Sequence, residues 1–224
     1  MTGCRSPWLS IPVGDYEAHM DRTGQTQALR DIFGRAHREA RPKRLLVLGC
    51  STGGDLLLVD PAITRECVGV DLNPEAIAEA ERRGVDRAVP GCRLMAGDVL
   101  EVDLPEAAFD LVYVALLFEY VDAARLFGRI VAWLDPAGRC VVVTQSPVEG
   151  VPAVSSTGYD SLQVLETEMT LRNPAEMEAM ARGAGLVRTG VRDVPLRFGK
   201  HFAVAEFERA GSSPAPVPRA PAGP

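Results

Sequence analysis

The chain has 224 residues, long enough for one domain with a full-sized core. Its 46% hydrophobic and 24% charged content is that of an ordinary globular protein, and its net charge of −6 argues against a nucleic-acid target, which needs a basic face. No apolar run approaches the roughly 18–20 residues of a membrane span and no signal-peptide stretch is seen at the start, so a cytoplasmic protein with neither membrane nor nucleic acid as partner is expected.

Residues 1–34 precede the first strand, and Pro7 and Pro12 make their opening irregular. Asp15-Tyr-Glu-Ala-His-Met20 gathers polar groups around an aromatic, either on a surface helix or at a site. Ala28, Leu29, Ile32, Phe33 and Ala36 then recur at helical spacing over Gln25 to Ala36. Arg41-Pro-Lys-Arg44 reads as a solvated strand entry. Leu45 to Leu48 is a short apolar run of the kind found in buried parallel strands. It breaks into a turn of small residues, Gly49 to Gly54, and Leu56-Leu57-Leu58 reads as the first turns of a buried helix. A second apolar strand, Cys67 to Val70, ends in Asp71. Asn73-Pro74 then opens a helix as N-cap and first helical residue.

Val121 to Leu134 has a helical apolar pattern and stops at Asp135-Pro136, after which Arg139 to Thr144 is strand-like. Gln145 to Arg172 is the main insertion, with Pro147, Pro152, Ser155-Ser-Thr-Gly-Tyr159 and Glu166. Asn173-Pro174 opens a helix over Ala175 to Arg182, ended by Gly183 and Gly185. Leu186 to Asp193 and His201 to Glu208 alternate and are expected to pair antiparallel. The tail, Gly211 to Pro224, is rich in Pro, Ala and Ser and is expected to be disordered. Five cysteines (Cys4, Cys50, Cys67, Cys92 and Cys140) have no metal-ligand spacing, so no metal site is expected.

The glycine turn and Asp71 belong together. Glycine lets a backbone approach a ligand closely, and a carboxylate ending the second strand of such a unit can accept hydrogen bonds from both hydroxyls of a ribose. These features describe a pocket for an adenosine-type cofactor. A dinucleotide fingerprint would read Gly-x-Gly-x-x-Gly, but here the third position is Ser51.

Val47-Leu-Gly-Cys-Ser-Thr-Gly-Gly-Asp55 instead resembles the first motif of the class I S-adenosylmethionine-dependent methyltransferases. Val68-Gly-Val-Asp-Leu-Asn-Pro74, Met95-Ala-Gly-Asp-Val99, Phe109 to Asp122 and Leu134 to Val143 resemble the later motifs, in order. The likeness covers roughly residues 43 to 208. It implies a Rossmann-like α/β fold: a doubly wound, seven-stranded, mostly parallel sheet with an antiparallel last strand, under an N-terminal helical lid. It also implies S-adenosyl-L-methionine as cofactor and methyl transfer to O, N, S or C of a small molecule. The domain would span 35–210, with 145–172 as substrate lid. The cofactor would meet Gly49, Cys50, Ser51, Gly53, Gly54, Asp71, Leu72, Asp98, Val99, Ala115 and Phe118. Ser51 replaces the usual glycine and is tolerable if its φ is negative. Glu119 stands where many relatives carry histidine. The catalytic candidates are His19 as general base, Tyr16 near the methionine end, and Glu119 as base or cation binder. A silent S-adenosylmethionine-binding protein or partner subunit, or an NAD-dependent oxidoreductase, are the other readings, and a homodimer is open.

Overall fold

In the computed structural model, which describes residues 6–89 and 91–211, the apolar runs form the middle of one sheet. The strands are β1 (Arg44–Leu48), β2 (Glu66–Asp71), β3 (Cys92–Ala96), β4 (Phe109–Ala115), β5 (Leu134–Gln145), β6 (Leu186–Pro195) and β7 (His201–Arg209). Their order is β3-β2-β1-β4-β5-β7-β6. The first five pair in parallel; β7 is antiparallel to both β5 and β6. Leu45–Leu48 and Leu111–Val114 are buried on both faces, as strands between two helical layers must be. Edge strand β6 alternates half-buried and exposed residues after a buried Leu186. The fold is the Rossmann-like sheet expected from the sequence, with its antiparallel last strand.

One layer is led by α5 (Ala123–Trp133), whose Leu126, Phe127, Ile130 and Trp133 pack on β4 and β5 residues such as Val112 and Val142. Asp122 caps α5 by accepting from the Arg125 amide, so the helix starts two residues after the expected Val121. It also stops sooner, because Leu134 already pairs with Phe109 at the start of β5. In the other layer, Ile32 and Phe33 of α2 (Gln25–Ala40) pack with Ile77 of α3 (Pro74–Arg82) and Val85 of α4 (Val85–Ala88). Asn73 caps α3 through the Glu75 amide, as its sequence predicts. Asn173 closes a full capping box on α7 (Pro174–Gly183).

The helix expected after the glycine turn is a single 3-10 turn, Leu56–Leu58. Only six residues lie between Gly54 and Pro61, fewer than two helical turns, and a proline inside a helix removes a hydrogen bond and clashes with the preceding turn. Leu56 is buried while Leu57 is exposed.

The N-terminal segment folds as a 3-10 turn, Pro7–Leu9, and α1 (Val13–Thr23), which ends at Gly24 in the left-handed region. The insertion after β5 carries a 3-10 turn, Asp160–Leu162, and α6 (Leu165–Glu168), and it closes onto α1. Ser161 Oγ donates to Asp15, Arg22 donates to the Thr157 carbonyl, and the Arg22 guanidinium lies 4.9 Å from the Tyr159 ring centroid. Ile11, Leu162 and Leu165 form a small core between the two segments. Glu17 ties α1 to the glycine turn and α3, accepting from Thr52 Oγ1 and Arg83 Nη1 at 2.6 Å each. The expected disordered tail lies outside the described residues from 212 onward, as does Cys4.

Two adjacent glycines in the turn differ sharply. Gly53 has φ +74°, and a Cβ there would lie 2.8 Å from Val85 Cγ2; beside Gly54 there is open space. Gly53→Ala should therefore destabilise the fold by about 1–3 kcal/mol, and Gly54→Ala by less than about 0.5. Urea melts of both variants check this; equal effects would show that the turn is not pinned on α4.

Candidate active site

In a doubly wound sheet, ligands bind beyond the carboxyl ends of the strands, where the strand order reverses. Here that point lies between β1 and β4, and a cavity of about 280 Å³ opens there. Gly49 and Ser51 after β1, Asp71 and Leu72 after β2, Asp98 and Val99 after β3, and Ala115 at the end of β4 all line it.

Asp71 organises the floor. Its Oδ2 accepts from the Ser51 amide at 2.8 Å and its Oδ1 from the Asn73 amide at 2.9 Å. Burial raises its pKa, and these two amides oppose the rise. Each oxygen can accept a further hydrogen bond from a ligand. The Asp71 hold also overturns one expectation: Ser51 has φ +48°, not a negative φ. Its amide must turn toward Asp71, and the left-handed backbone is what aims it there. Gly49, at φ +74°, donates to the Val70 carbonyl and brings bare backbone to the cavity.

Four residues expected at the cofactor are not on the cavity wall. Cys50 is buried, with Sγ close to Gly69. Gly53 packs on Val85 and Ala80. Gly54 has open space beside it and does not line the cavity. Phe118 is in the core, 4.5 Å from Phe127 between ring centroids. Asp55 is also off the wall; burial raises its carboxyl to about 6, against the pull of Arg30.

The roof comes from the N-terminal segment: Ser6, Trp8, Ile11, Val13 and Tyr16. Trp8 meets Tyr16 and Tyr120 edge-on, with centroids 5.1 and 5.0 Å apart, and Asn73 Nδ2 donates to the Trp8 carbonyl. Sequence reasoning missed Trp8 because it sits in a proline-flanked stretch without periodicity. It also missed Leu116, whose φ of +52° is unusual for a bulky residue and which borders the cavity at the end of β4.

Trp8, Tyr16, Leu116 and Tyr120 also wall a second, inner cavity of about 40 Å³. His19, Gln25, Gln145 and Lys200 supply its polar surface. His19 is buried, its Nδ1 lies 2.7 Å from Thr157 Oγ1, and burial together with Lys200 lowers its pKa. Burial holds Tyr16 and Tyr120 well above the usual phenol range, and Asp71 and Glu119 add to the rise at Tyr16. Glu119 is on neither cavity wall. It is buried, accepts from the Gln145 amide at 2.7 Å through Oε1, leaves Oε2 without a partner, and is raised to about 7 by burial. Of the three catalytic candidates, the structure thus brings Tyr16 and His19 together at the inner cavity and sets Glu119 behind Gln145.

Comparison with known proteins agrees with this architecture. Residues 46–142 match the family model of a methyltransferase domain. A demethylmenaquinone methyltransferase of Thermus thermophilus is 35% identical over 111 residues, covering 49% of this chain and 50% of that protein. A probable chloroplastic tocopherol O-methyltransferase of Oryza sativa is 29% identical over 133 residues, covering 57% and 36%. The chain thus spans about half the length, or less, of these curated relatives. Among solved structures, an S-adenosylmethionine-dependent methyltransferase from Mesorhizobium loti superposes with TM-score 0.63 at 21% identity, covering 78% of this chain and 96% of the other. A geranyl diphosphate C-methyltransferase from Streptomyces coelicolor does so with TM-score 0.60 at 18% identity, covering 75% and 74%. Residues 46–142 thus match a methyltransferase domain, and the sheet with its cavity at the switch point has the fold of the class I S-adenosylmethionine-dependent methyltransferases.

Proposed function

We propose that this chain transfers a methyl group from S-adenosyl-L-methionine to a small molecule. One observation carries the reading: a cavity floored by the Asp71 carboxylate adjoins a smaller, largely apolar one bearing His19 and Lys200, across Tyr16, Leu116 and Tyr120. That is room for a nucleoside-type donor beside room for an acceptor group. The residues fit the donor. Asp71 keeps acceptor capacity for two ribose hydroxyls, Leu72 offers an apolar wall, and the Val99 amide has no partner among the described residues. The exposed Asp98 carboxylate, which accepts from the Leu100 amide, stands beside it for the adenine amino group. When bound, S-adenosylmethionine supplies an electrophilic methyl group on a sulfonium centre.

The rest falls to the chain. Trp8, Tyr16 and Tyr120 form an aromatic wall that excludes water and is compatible with positive charge. Residues 1–34 and 145–172 act as two lids that must part for entry. His19 is the group we assign as proton acceptor: its Nδ1 is held by Thr157, its ring is kept neutral by burial, and Nε2 is left for an acceptor's proton. Glu119 serves better as a buried support for Gln145 than as the base. The net charge of −6 and the closed, mixed lining favour a small molecule over nucleic acid, and we take the protein as cytoplasmic.

Calorimetry should show tight binding of S-adenosylhomocysteine and negligible binding of NAD; the reverse preference would remove the reading. Asp71→Ala should weaken S-adenosylhomocysteine by about tenfold or more, since a charge-assisted hydrogen bond contributes roughly 1.5–3 kcal/mol. Because Asp71 also holds Ser51, thermal melting of the variant must accompany the titration.

His19→Ala should lower turnover by roughly 10²-fold with little change in cofactor affinity. A small, parallel fall in both would leave His19 as a lid contact only.

Glu119 gives a pH signature. Its pKa in the fold, about 7, lies above its ordinary 4.5, so the fold favours the protonated form. That stabilisation is complete below about pH 4.5 and is lost as pH rises through 7, on the order of 3 kcal/mol in all. Glu119→Gln should flatten the fall in melting temperature between pH 5 and 8; an unchanged slope would mean that other groups, Asp55 among them, carry it.

A further inference from the structure

The inner cavity contains a cation without a counter-charge. Lys200, at the turn into β7, is 2% exposed. Its Nζ donates to the Ala153 carbonyl at 2.6 Å, and Gln145 Nε2 donates to the same oxygen at 2.9 Å. No ion pair among the described residues includes Lys200. The carboxylate whose charge acts on it, Glu166, is an exposed residue of α6. Burial lowers the amine to about 8, which still leaves it mostly protonated at neutral pH.

A tie to one shared carbonyl does not need an ammonium. Burying an unpaired charge costs several kcal/mol, and a glutamine could reach a carbonyl without that cost. Two of the three N–H donors of Lys200 remain after Ala153 is satisfied. The acceptors on the wall, the Gln25 and Gln145 side-chain oxygens and His19 Nε2, are neutral, and no carboxylate lines it. The Tyr16 and Tyr120 hydroxyls make no hydrogen bond among the described residues, and burial keeps both protonated. Gln25 has its amide nitrogen on Thr23 Oγ1. Glu119 is engaged by the Gln145 amide, away from the wall. The cavity therefore carries one unbalanced positive charge, closed in by the Trp8 and Tyr120 rings.

We propose that the inner cavity seats an oxyanion of the methyl acceptor, a carboxylate or an ionised phenol or enol oxygen, with Lys200 as its counter-charge. This rests on reading the chain as a methyltransferase with its donor in the larger cavity. At about 40 Å³ the seat has room for an end group only, so the body of the acceptor extends toward Trp8, Tyr16 and Tyr120. A flat, acidic small molecule has that shape.

The test uses the full chain saturated with S-adenosylhomocysteine, titrated by calorimetry with benzoate and with its neutral isostere benzamide. The wild type should bind the acid at least about tenfold more tightly, a difference of 1.4 kcal/mol. Lys200→Met should abolish the preference without changing S-adenosylhomocysteine affinity, and Lys200→Arg should retain part of it. Acid binding no tighter than amide in the wild type, including no binding of either, overturns the proposal, whatever the variants do. So does a preference that survives in a folded Lys200→Met protein, which would make Lys200 a tie for Ala153 alone. The S-adenosylhomocysteine titration stands apart: its failure removes the methyltransferase reading, while benzoate against benzamide on the free protein still reads Lys200.

Discussion

The ligand end of this protein hangs on a carboxylate held by two backbone amides. Asp71 ends β2, and its oxygens receive the Ser51 and Asn73 amides. The first of these bonds folds the glycine turn back over the sheet. The second sets the entry of α3, whose cap is Asn73 itself. A partly buried carboxylate loses some of its hydration, and the two amides offset that loss. Ser51 accepts a left-handed backbone as the consequence, a strain of roughly 1–2 kcal/mol outside glycine. In a longer turn the following helix would fix the loop. Here that helix is one 3-10 turn, and Asp71, the Gly53 contact with Val85, and the Thr52 link to Glu17 do the fixing instead.

The N-terminal segment and the insertion after β5 depend on the same framework. Asn73 donates to the Trp8 carbonyl, so the residue that caps α3 also anchors the roof. Glu17 bridges from α1 to Thr52 and Arg83, which fixes α1 on the turn and on α3 together. The insertion then closes on α1 through Asp15, Thr157 and the small core around Ile11 and Leu165. Most of these contacts are polar and partly exposed, and such contacts contribute little individually. The roof is thus joined to the sheet by side-chain ties rather than by shared strands.

The sequence made the sheet legible because parallel strands buried on both faces read as unbroken apolar runs, and Asn-Pro pairs mark helix starts through a physical cap. The glycine turn and Asp71 were legible from the strand-turn pattern, while Leu72, Asp98, Val99 and Ala115, which also line the cavity, were named through the family resemblance alone. Local reasoning failed where direction mattered. Gly53 and Gly54 look equivalent to Gly49 in the chain, yet one packs on α4 and the other faces open space. Phe118 and Tyr120 are two residues apart and point to opposite sides, one into the core and one into the cavities. Trp8 and Lys200 were illegible for another reason. Their contacts join segments nearly 200 residues apart in the chain, and no periodicity or spacing encodes such a meeting.

Burial sorts the ionisable groups of the inner site in a way that single residues would not suggest. Taking charge out of water raises acids and lowers bases. Glu119 is thereby brought up to about 7, His19 is moved down from its ordinary value, and Tyr16 and Tyr120 are driven out of reach as proton acceptors. Glu119 is on neither cavity wall, while His19 and Lys200, both bases moved down by burial, share the wall of the inner one. Leu116 separates the spaces on which this sorting depends. A glycine there would relieve the strain of φ +52°, yet it would remove the side chain that stands where the two cavities meet. Strain retained at such a point is consistent with a site that gains from keeping its two compartments distinct. His19 is carried by the N-terminal segment and Asp71 by the sheet, so the two groups reach neighbouring cavities from separate parts of the fold.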